Sequence, residues 1–106
     1  MMLERAIEAA FMRGMKKLGV EALKLNLQGN RGWPDRLVLL PGRALFIEFK
    51  RPGEGPRPLQ RFIHAKIEAL GFEVCTYADA KEAIAYVTQR LGVRVRKKPR
   101  VSTRDV

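Results

Sequence analysis

Apolar and polar positions along the chain alternate with periods that predict short helices and strands. Across residues 3–18 apolar side chains recur every three or four positions, which predicts a helix with one buried stripe that ends at Gly19. Residues 21–27 alternate between apolar and polar positions, a pattern typical of a half-buried strand. Two further short strands follow and are joined by a turn at Pro41 and Gly42.

The second half of the chain continues the series. Residues 50–58 are rich in proline and glycine and predict an irregular loop. Residues 59–70 have helical spacing that predicts a helix with Gly71 as the stop and with an inward face made of Leu59, Phe62, Ile63, Ile67 and Leu70. A strand is predicted over residues 72–78, and a last helix over residues 79–91, with Asp79 as its N-terminal cap. The order helix, three strands, helix, strand, helix predicts an α/β fold.

The strand over residues 44–49 is apolar on both faces, which favours a central strand that is covered on each side. Glu48 and Lys50 project together from it, about 6.5 to 7 Å apart along the chain, while Phe49 points the other way. Ionised side chains in such surroundings are costly unless they are paired with each other or with a metal ion.

A second carboxylate comes from Asp35, because the turn at Pro41 and Gly42 brings its strand alongside the strand of Glu48. Taken alone, the Glu48–Lys50 pair also fits a salt bridge at a strand end near solvent. The run Asp79-Ala80-Lys81 has the same spacing without an apolar strand before it, so spacing by itself is a weak signal. The apolar strand that precedes Glu48 is what distinguishes the Glu48–Lys50 pair from the Asp79–Lys81 pair.

The run Gly32-Trp33-Pro34-Asp35, the following strand, the run Ile47-Glu48-Phe49-Lys50 and Leu59-Gln60 at the start of a helix together resemble the PD-(D/E)XK nuclease superfamily. Within it, the chain is most similar to small stand-alone VRR-Nuc (virus-type replication-repair nuclease) domains, over residues 3–91. The resemblance implies a restriction-endonuclease-like αβββαβ core, with a mixed sheet flanked by helices and an extra C-terminal helix.

The resemblance also implies a metal site. Asp35, Glu48 and the main-chain oxygen of Phe49 would coordinate Mg²⁺ or Mn²⁺. Glu4, in the first helix, would join them directly or through a water, with Glu8 as the reserve candidate. If the resemblance is set aside, the two glutamates are explained by the favourable electrostatics of negative charges at a helix start, with Glu8 paired to a nearby Arg or Lys. Ligands that are all oxygens fit a hard cation and not zinc.

Lys50 would steer the attacking water, and Gln60 would support that water or an adjacent phosphate. His64 lies one turn beyond Gln60 on the same side of the predicted helix, and a lone histidine there is most simply a surface residue. The catalytic set that the resemblance implies is Glu4, Asp35, Glu48, Lys50 and Gln60.

Composition and charge point to a polyanionic partner. The 106 residues predict one domain, with 21 Lys and Arg against 11 Asp and Glu, a net charge of +10 and a pI near 10.5. Nucleic acid is the first partner that such an excess favours, and an anionic membrane surface is the second. Half of the net charge lies in residues 93–106, which predict a basic arm following the domain over residues 1–92. We expect DNA contacts from Arg31, Arg51, Arg57, Arg96, Lys97 and Lys98.

The sequence has no apolar run of the roughly 18 residues that a bilayer span needs and no signal-peptide pattern, so we expect no membrane partner and a cytoplasmic location. Its single cysteine, Cys75, cannot form an internal disulfide and lacks companions for a zinc site. We interpret it as an inert buried thiol.

The function that the resemblance implies is a metal-dependent DNA endonuclease acting on branched or structured DNA, such as four-way junctions, in phage or bacterial replication, recombination or repair. Paired incision needs two sites, which implies a homodimer. Two alternatives remain open at this point. One is a nucleic-acid-binding protein that keeps the fold without catalysis, and the other is a restriction-type nuclease with sequence specificity.

Overall fold

Seven elements form the part of the chain that the computed structural model describes, which is residues 3–26, 29 and 31–92. Their order is the one that the sequence predicted, with ends that differ by at most three residues. The predicted basic arm, residues 93–106, lies outside this part. In chain order the elements are α1 (Glu4–Leu18), β1 (Glu21–Lys24), β2 (Arg36–Leu40), β3 (Arg43–Phe49), α2 (Pro58–Ala69), β4 (Glu73–Tyr77) and α3 (Ala80–Gly92).

The four strands form one mixed sheet in the order β1-β2-β3-β4. β2 pairs antiparallel with both β1 and β3, and the β2–β3 hairpin turns at Pro41 and Gly42, as predicted. β4 pairs parallel with β3, so that Glu48 stands beside Thr76, and α2 makes the crossover between these two strands. The predicted fold class is therefore confirmed: an αβββαβ core with a mixed sheet flanked by helices, extended by α3.

One face of the sheet packs against α1 and α3. The inward stripe of α1 predicted from its spacing includes Ile7, Phe11 and Met15, all with no solvent exposure. Phe11 contacts Phe49 with the ring centroids 5.1 Å apart. Burying a side chain of this size contributes about 1.5 to 3 kcal/mol, so the three residues hold α1 firmly across the strands that carry the acidic residues. The remaining members of this core are Ala22, Val38, Leu40, Leu45, Ile47, Ala83 and Val87.

The opposite face of the sheet is only partly covered by α2. Ile63 and Ile67 are buried, as their spacing predicted, but three other positions expected to face inward are not. That expectation was wrong because α2 packs chiefly against β4, at one side of the sheet, and therefore buries a narrow stripe. The large apolar side chains left exposed by this arrangement are Leu59, Phe62 and Leu70 on α2, Phe72 after it, and Leu23 and Leu39 on β1 and β2.

The start of α3 confirms the cap predicted from sequence. Asp79 Oδ1 accepts hydrogen bonds from the backbone N–H groups of Lys81, at 2.7 Å, and Glu82, at 3.2 Å. Such a side chain satisfies donors that the first turn of a helix otherwise leaves unpaired. Asp79 thus has a structural role at the start of α3. None of the helices in the described ranges is long and apolar enough to cross a membrane.

Candidate active site

Asp35 lies at the entrance to β2, directly after the fully buried Pro34. The register of the hairpin pairs Arg36 with Ile47, which places Asp35 beside the last residues of β3. Its Oδ2 accepts a hydrogen bond of 2.7 Å from the backbone N–H of Phe49. The hairpin therefore brings the Asp35 carboxylate to the residue next to Glu48, which is the meeting that the sequence predicted.

Glu48 and Lys50 form an ion pair that is shielded from water. They are 1% and 4% exposed, and Lys50 Nζ lies 3.5 Å from Glu48 Oε2. Phe49 points to the opposite face, against Phe11, as the strand alternation predicted. The backbone N–H of Lys50 bonds to the carbonyl oxygen of Tyr77 at 2.9 Å, which keeps β4 paired up to the site. The pair is thus not the solvent-exposed strand-end salt bridge that its spacing alone also allowed.

The two carboxylate oxygens of Glu48 have different surroundings. Oε1 lies 2.9 Å from Nε2 of His64, whereas Oε2 is buried and makes no hydrogen bond to any described residue. A buried polar atom left without a hydrogen bond costs free energy, and such atoms occur where an ion or water is bound. Oε2 is therefore a candidate ligand atom.

His64 is the residue of this site that sequence reasoning missed. Its side chain is only 13% exposed, although a surface position was the simplest interpretation of the sequence. The available signal was its spacing, because His64 follows Gln60 by one helical turn and the two share a side of α2. Nothing in the spacing indicated that this side would lie against Glu48.

Gln60 lies in the first turn of α2, where its Oε1 accepts a hydrogen bond of 2.8 Å from the backbone N–H of Arg57. This bond satisfies one backbone donor at the start of the helix. Gln60 also lines a small cleft together with Arg31, Gly32 and Leu59. The structure thus gives the side-chain oxygen of Gln60 a structural partner.

The two glutamates of the first turns of α1 differ in their partners. Glu8 accepts a bond of 2.6 Å from Arg36 Nε, and its carboxylate lies 3.5 Å from Lys24 Nζ. Glu8 is therefore part of the ion pairing between α1 and the sheet. This agrees with the alternative interpretation of the sequence, in which Glu8 pairs with a nearby Arg or Lys. Glu4 begins α1 and is half-buried. The negative charges of Glu4 and Glu8 both raise the pKa of Asp35.

Asp35 has the perturbed acidity expected of a functional carboxyl. Burial raises the pKa of Asp35 above its usual range, and the negative charges of Glu8, Glu48 and Glu4 raise it further. The hydrogen bond from the N–H of Phe49 opposes this rise because it stabilises the ionised form. A group of carboxylates that repel one another in this way would be relieved by a cation.

The donor set fits a partly hydrated hard cation. No group of three or more His, Cys, Asp or Glu side chains is arranged to hold a metal within the ranges given above. Mg²⁺ does not require such a cage, because it usually keeps several waters and takes one or two carboxylates. Asp35 and Oε2 of Glu48, which is ion-paired with Lys50 but makes no hydrogen bond among the described residues, supply donors of that kind.

Three of the six residues predicted to contact DNA lie in the described part, and all three are exposed. Arg31 and Arg57 line the same cleft, and Arg51 pairs with Glu54 at 2.8 Å in the loop before α2. Exposed guanidinium groups are well suited to phosphate oxygens. The other three predicted contacts, Arg96, Lys97 and Lys98, lie beyond the described residues.

The fold is that of an α/β domain of the PD-(D/E)XK class, and comparisons with known proteins identify its family. A solved structure described as a VRR_NUC domain superposes with a TM-score of 0.71 and 27% identity, over 81% of this chain and 94% of that one. A curated protein, "Putative nuclease p44" of Acyrthosiphon pisum secondary endosymbiont phage 1, is 46% identical over 72 residues, which are 67% of this chain and 77% of the relative. No family model matches the chain.

The chain belongs to the VRR-Nuc family of nucleases. The resemblance drawn from the Trp33-Pro34-Asp35 and Glu48-Phe49-Lys50 runs is therefore confirmed at the level of family and fold.

Proposed function

We propose that this protein is a metal-dependent DNA endonuclease that hydrolyses phosphodiester bonds in the cytoplasm of a bacterium or a phage-infected host. The observation that carries the proposal is the meeting of Asp35 with the buried Glu48–Lys50 pair at one end of the sheet. Membership of a nuclease family supports the reaction type. A protein that only bound DNA would have no need for carboxylates gathered where a polyanion approaches.

Asp35 and Glu48 would hold Mg²⁺ or Mn²⁺ together with the main-chain oxygen of Phe49. We assign Glu4 as an additional residue of the metal site, which would act on the cation directly or through a water, because Glu8 is already bonded to Arg36. When bound, a divalent ion of this kind polarises the scissile phosphate and acidifies a water.

Lys50 would act at the other side of the reacting phosphate. Its ammonium group is held 3.5 Å from Glu48 Oε2 in a site with little water, where a positive charge stabilises developing negative charge strongly. It would also orient the attacking water by hydrogen bonding. Gln60 would donate from its amide nitrogen to that water or to an adjacent phosphate, since its oxygen is already bonded to Arg57.

DNA would be held by basic residues around this centre. Arg31 and Arg57 line a cleft with Gln60, Arg51 follows Lys50 in the chain, and the arm over residues 93–106 would add Arg96, Lys97 and Lys98. A protein that neutralises roughly 6 to 10 phosphates loses roughly 10³ to 10⁵ in affinity between 50 and 200 mM salt. Truncation after Gly92 should therefore weaken binding and flatten its dependence on salt.

The substrate that we propose is branched DNA, such as a four-way junction, in phage or bacterial replication, recombination or repair. Each chain carries one candidate site, so paired incision requires a homodimer. Leu59, Phe62 and Leu70 are large apolar side chains exposed on α2, and their burial between two chains would be favourable, which supports association. Light scattering at micromolar concentration should give the mass of two chains.

Cleavage assays on four substrates test the proposal: a single strand, a duplex, a flap and a four-way junction, each with Mg²⁺, Mn²⁺ or EDTA. We expect metal-dependent cleavage of the junction, and a loss of roughly 10²-fold or more in Lys50→Ala. Lys81→Ala is the matched control, because Lys81 has the same Asp-x-Lys spacing but is exposed. Full cleavage by Lys50→Ala, or cleavage in EDTA, would show that the site is assigned wrongly.

A second candidate function is nucleic-acid binding without catalysis. The observation that favours it is that Glu48 has partners within the protein, namely His64 and Lys50, without any cation. It predicts salt-dependent binding to all four substrates with no cleavage in Mn²⁺. The same assays therefore separate the two functions.

A further inference from the structure

The contact between His64 and Glu48 joins two elements that are brought together only by the fold. Glu48 lies on β3 and His64 lies in α2, which crosses over the sheet to β4. The 2.9 Å separation of Nε2 and Oε1 is that of a strong hydrogen bond, and both side chains are largely hidden from water. A surface histidine with no role in the site would not need to be placed in this way.

Which atom donates in this contact depends on the charge state of Glu48 and on the tautomer of His64. An ionised carboxylate only accepts hydrogen bonds, so Nε2 of His64 carries the hydrogen. Both the neutral tautomer protonated at Nε2 and the charged imidazolium supply this donor. The contact is therefore the same for either charge state of the ring.

This bond occupies one oxygen of Glu48 and limits rotation of the carboxylate group. The other oxygen, Oε2, is buried, has no hydrogen-bond partner among the described residues and lies on the side of Lys50. A carboxylate held at one oxygen presents the second in a defined direction. Without His64, the group could turn either oxygen toward Lys50 or toward a cation.

We propose that His64 is a positioning residue that holds Glu48 Oε1 so that Oε2 is presented to the catalytic cation. The inference rests on the proposed function, because it concerns the metal site described there, and it adds a residue to which no role had been assigned. Groups that hydrogen-bond a metal-binding carboxylate typically contribute about 10- to 100-fold in metal affinity. His64 does not bind the cation itself in this arrangement.

The test is the affinity for Mn²⁺ of the full chain without DNA, measured by calorimetry or by the electron paramagnetic resonance of unbound Mn²⁺. We expect His64→Ala to bind Mn²⁺ about 10- to 100-fold more weakly than the wild type. His64→Gln should recover most of the loss, because a glutamine amide can place an N–H near the position of Nε2. Glu68→Ala, an exposed position one turn further along α2, is the control and should bind as the wild type does.

Urea midpoints in EDTA separate positioning from folding, because a purely structural role would lower the midpoint without the selective recovery of Mn²⁺ affinity in His64→Gln. The inference is overturned if His64→Ala binds Mn²⁺ as tightly as the wild type or more tightly, or if His64→Gln binds no better than His64→Ala. Failure of the proposed function looks different: the wild type itself would then bind Mn²⁺ no better than Asp35→Asn.

Discussion

The buried ion pair between Glu48 and Lys50 makes a prediction about stability as well as catalysis. Glu48→Gln and Lys50→Met remove one charge each while keeping a similar shape, and the double variant removes both. The two groups are 1% and 4% exposed, and their charged atoms are 3.5 Å apart. When one charge is removed, water cannot solvate the other unless the structure opens locally. The three variants therefore measure how strongly the charges depend on each other.

The expected magnitude follows from the separation. At 3.5 Å and an effective dielectric constant of about 20, the attraction between unit charges is about 5 kcal/mol, most of which offsets the lost hydration. Removing one partner leaves the other charge buried and unpaired, which costs about 3 to 5 kcal/mol. The double variant should lose less than the sum of the singles, by a coupling energy of about 1 to 3 kcal/mol. All three should lack cleavage.

Urea unfolding followed by circular dichroism, in EDTA and at low temperature, gives the four free energies of the cycle. Lys81→Met is the matched control, since an exposed lysine should change stability by no more than about 0.5 kcal/mol. If the single effects add in the double variant, Glu48 and Lys50 do not form a coupled pair. If each single costs less than about 1 kcal/mol, the site is open to water and the reasoning from burial is refuted.

Three further predictions concern the surroundings of the site. Gly32→Ala should lower the free energy of unfolding in urea by about 2 to 4 kcal/mol, because the added Cβ would lie 2.8 Å from Leu59 Cγ and the backbone has a φ of +87°. Gly53→Ala is the control, since Gly53 has the same φ but no atom near the added Cβ. An equal cost in both variants would show that the contact with Leu59 does not matter. Asp79→Ala should cost about 1 kcal/mol through loss of the α3 cap, with no change in metal binding. Because the pKa of Asp35 is raised on folding, the folded state binds more protons than the unfolded one between the two pKa values, and this group makes the protein less stable as pH rises through that window. Asp35→Asn should therefore unfold at higher urea than the wild type at neutral pH without metal, and the difference should shrink in acid; a less stable Asp35→Asn at neutral pH would contradict the pKa direction.

The amino-acid sequence by itself determined the elements, their order and the central pair of the site. Helical and strand periodicities are local properties, and they placed α1, β3 and α3 to within about one residue of their observed ends. The Asp79 cap is also local, since its partners are two and three residues away. The approach of Asp35 to the Glu48 strand could be predicted because a tight turn leaves adjacent antiparallel strands few ways to pair.

Only the tertiary structure decided what lies against the site from outside that hairpin. The contact of His64 with Glu48, the engagement of Glu8 by Arg36 and the exposure of Phe62 each depend on where a helix lies over the sheet. Periodicity identifies the apolar stripe of a helix but not how much of it a neighbouring surface covers. For α2 that surface is chiefly β4. Apolar residues of α2 such as Phe62 therefore stay exposed, while His64, beside the buried stripe, contacts the buried carboxylate of Glu48.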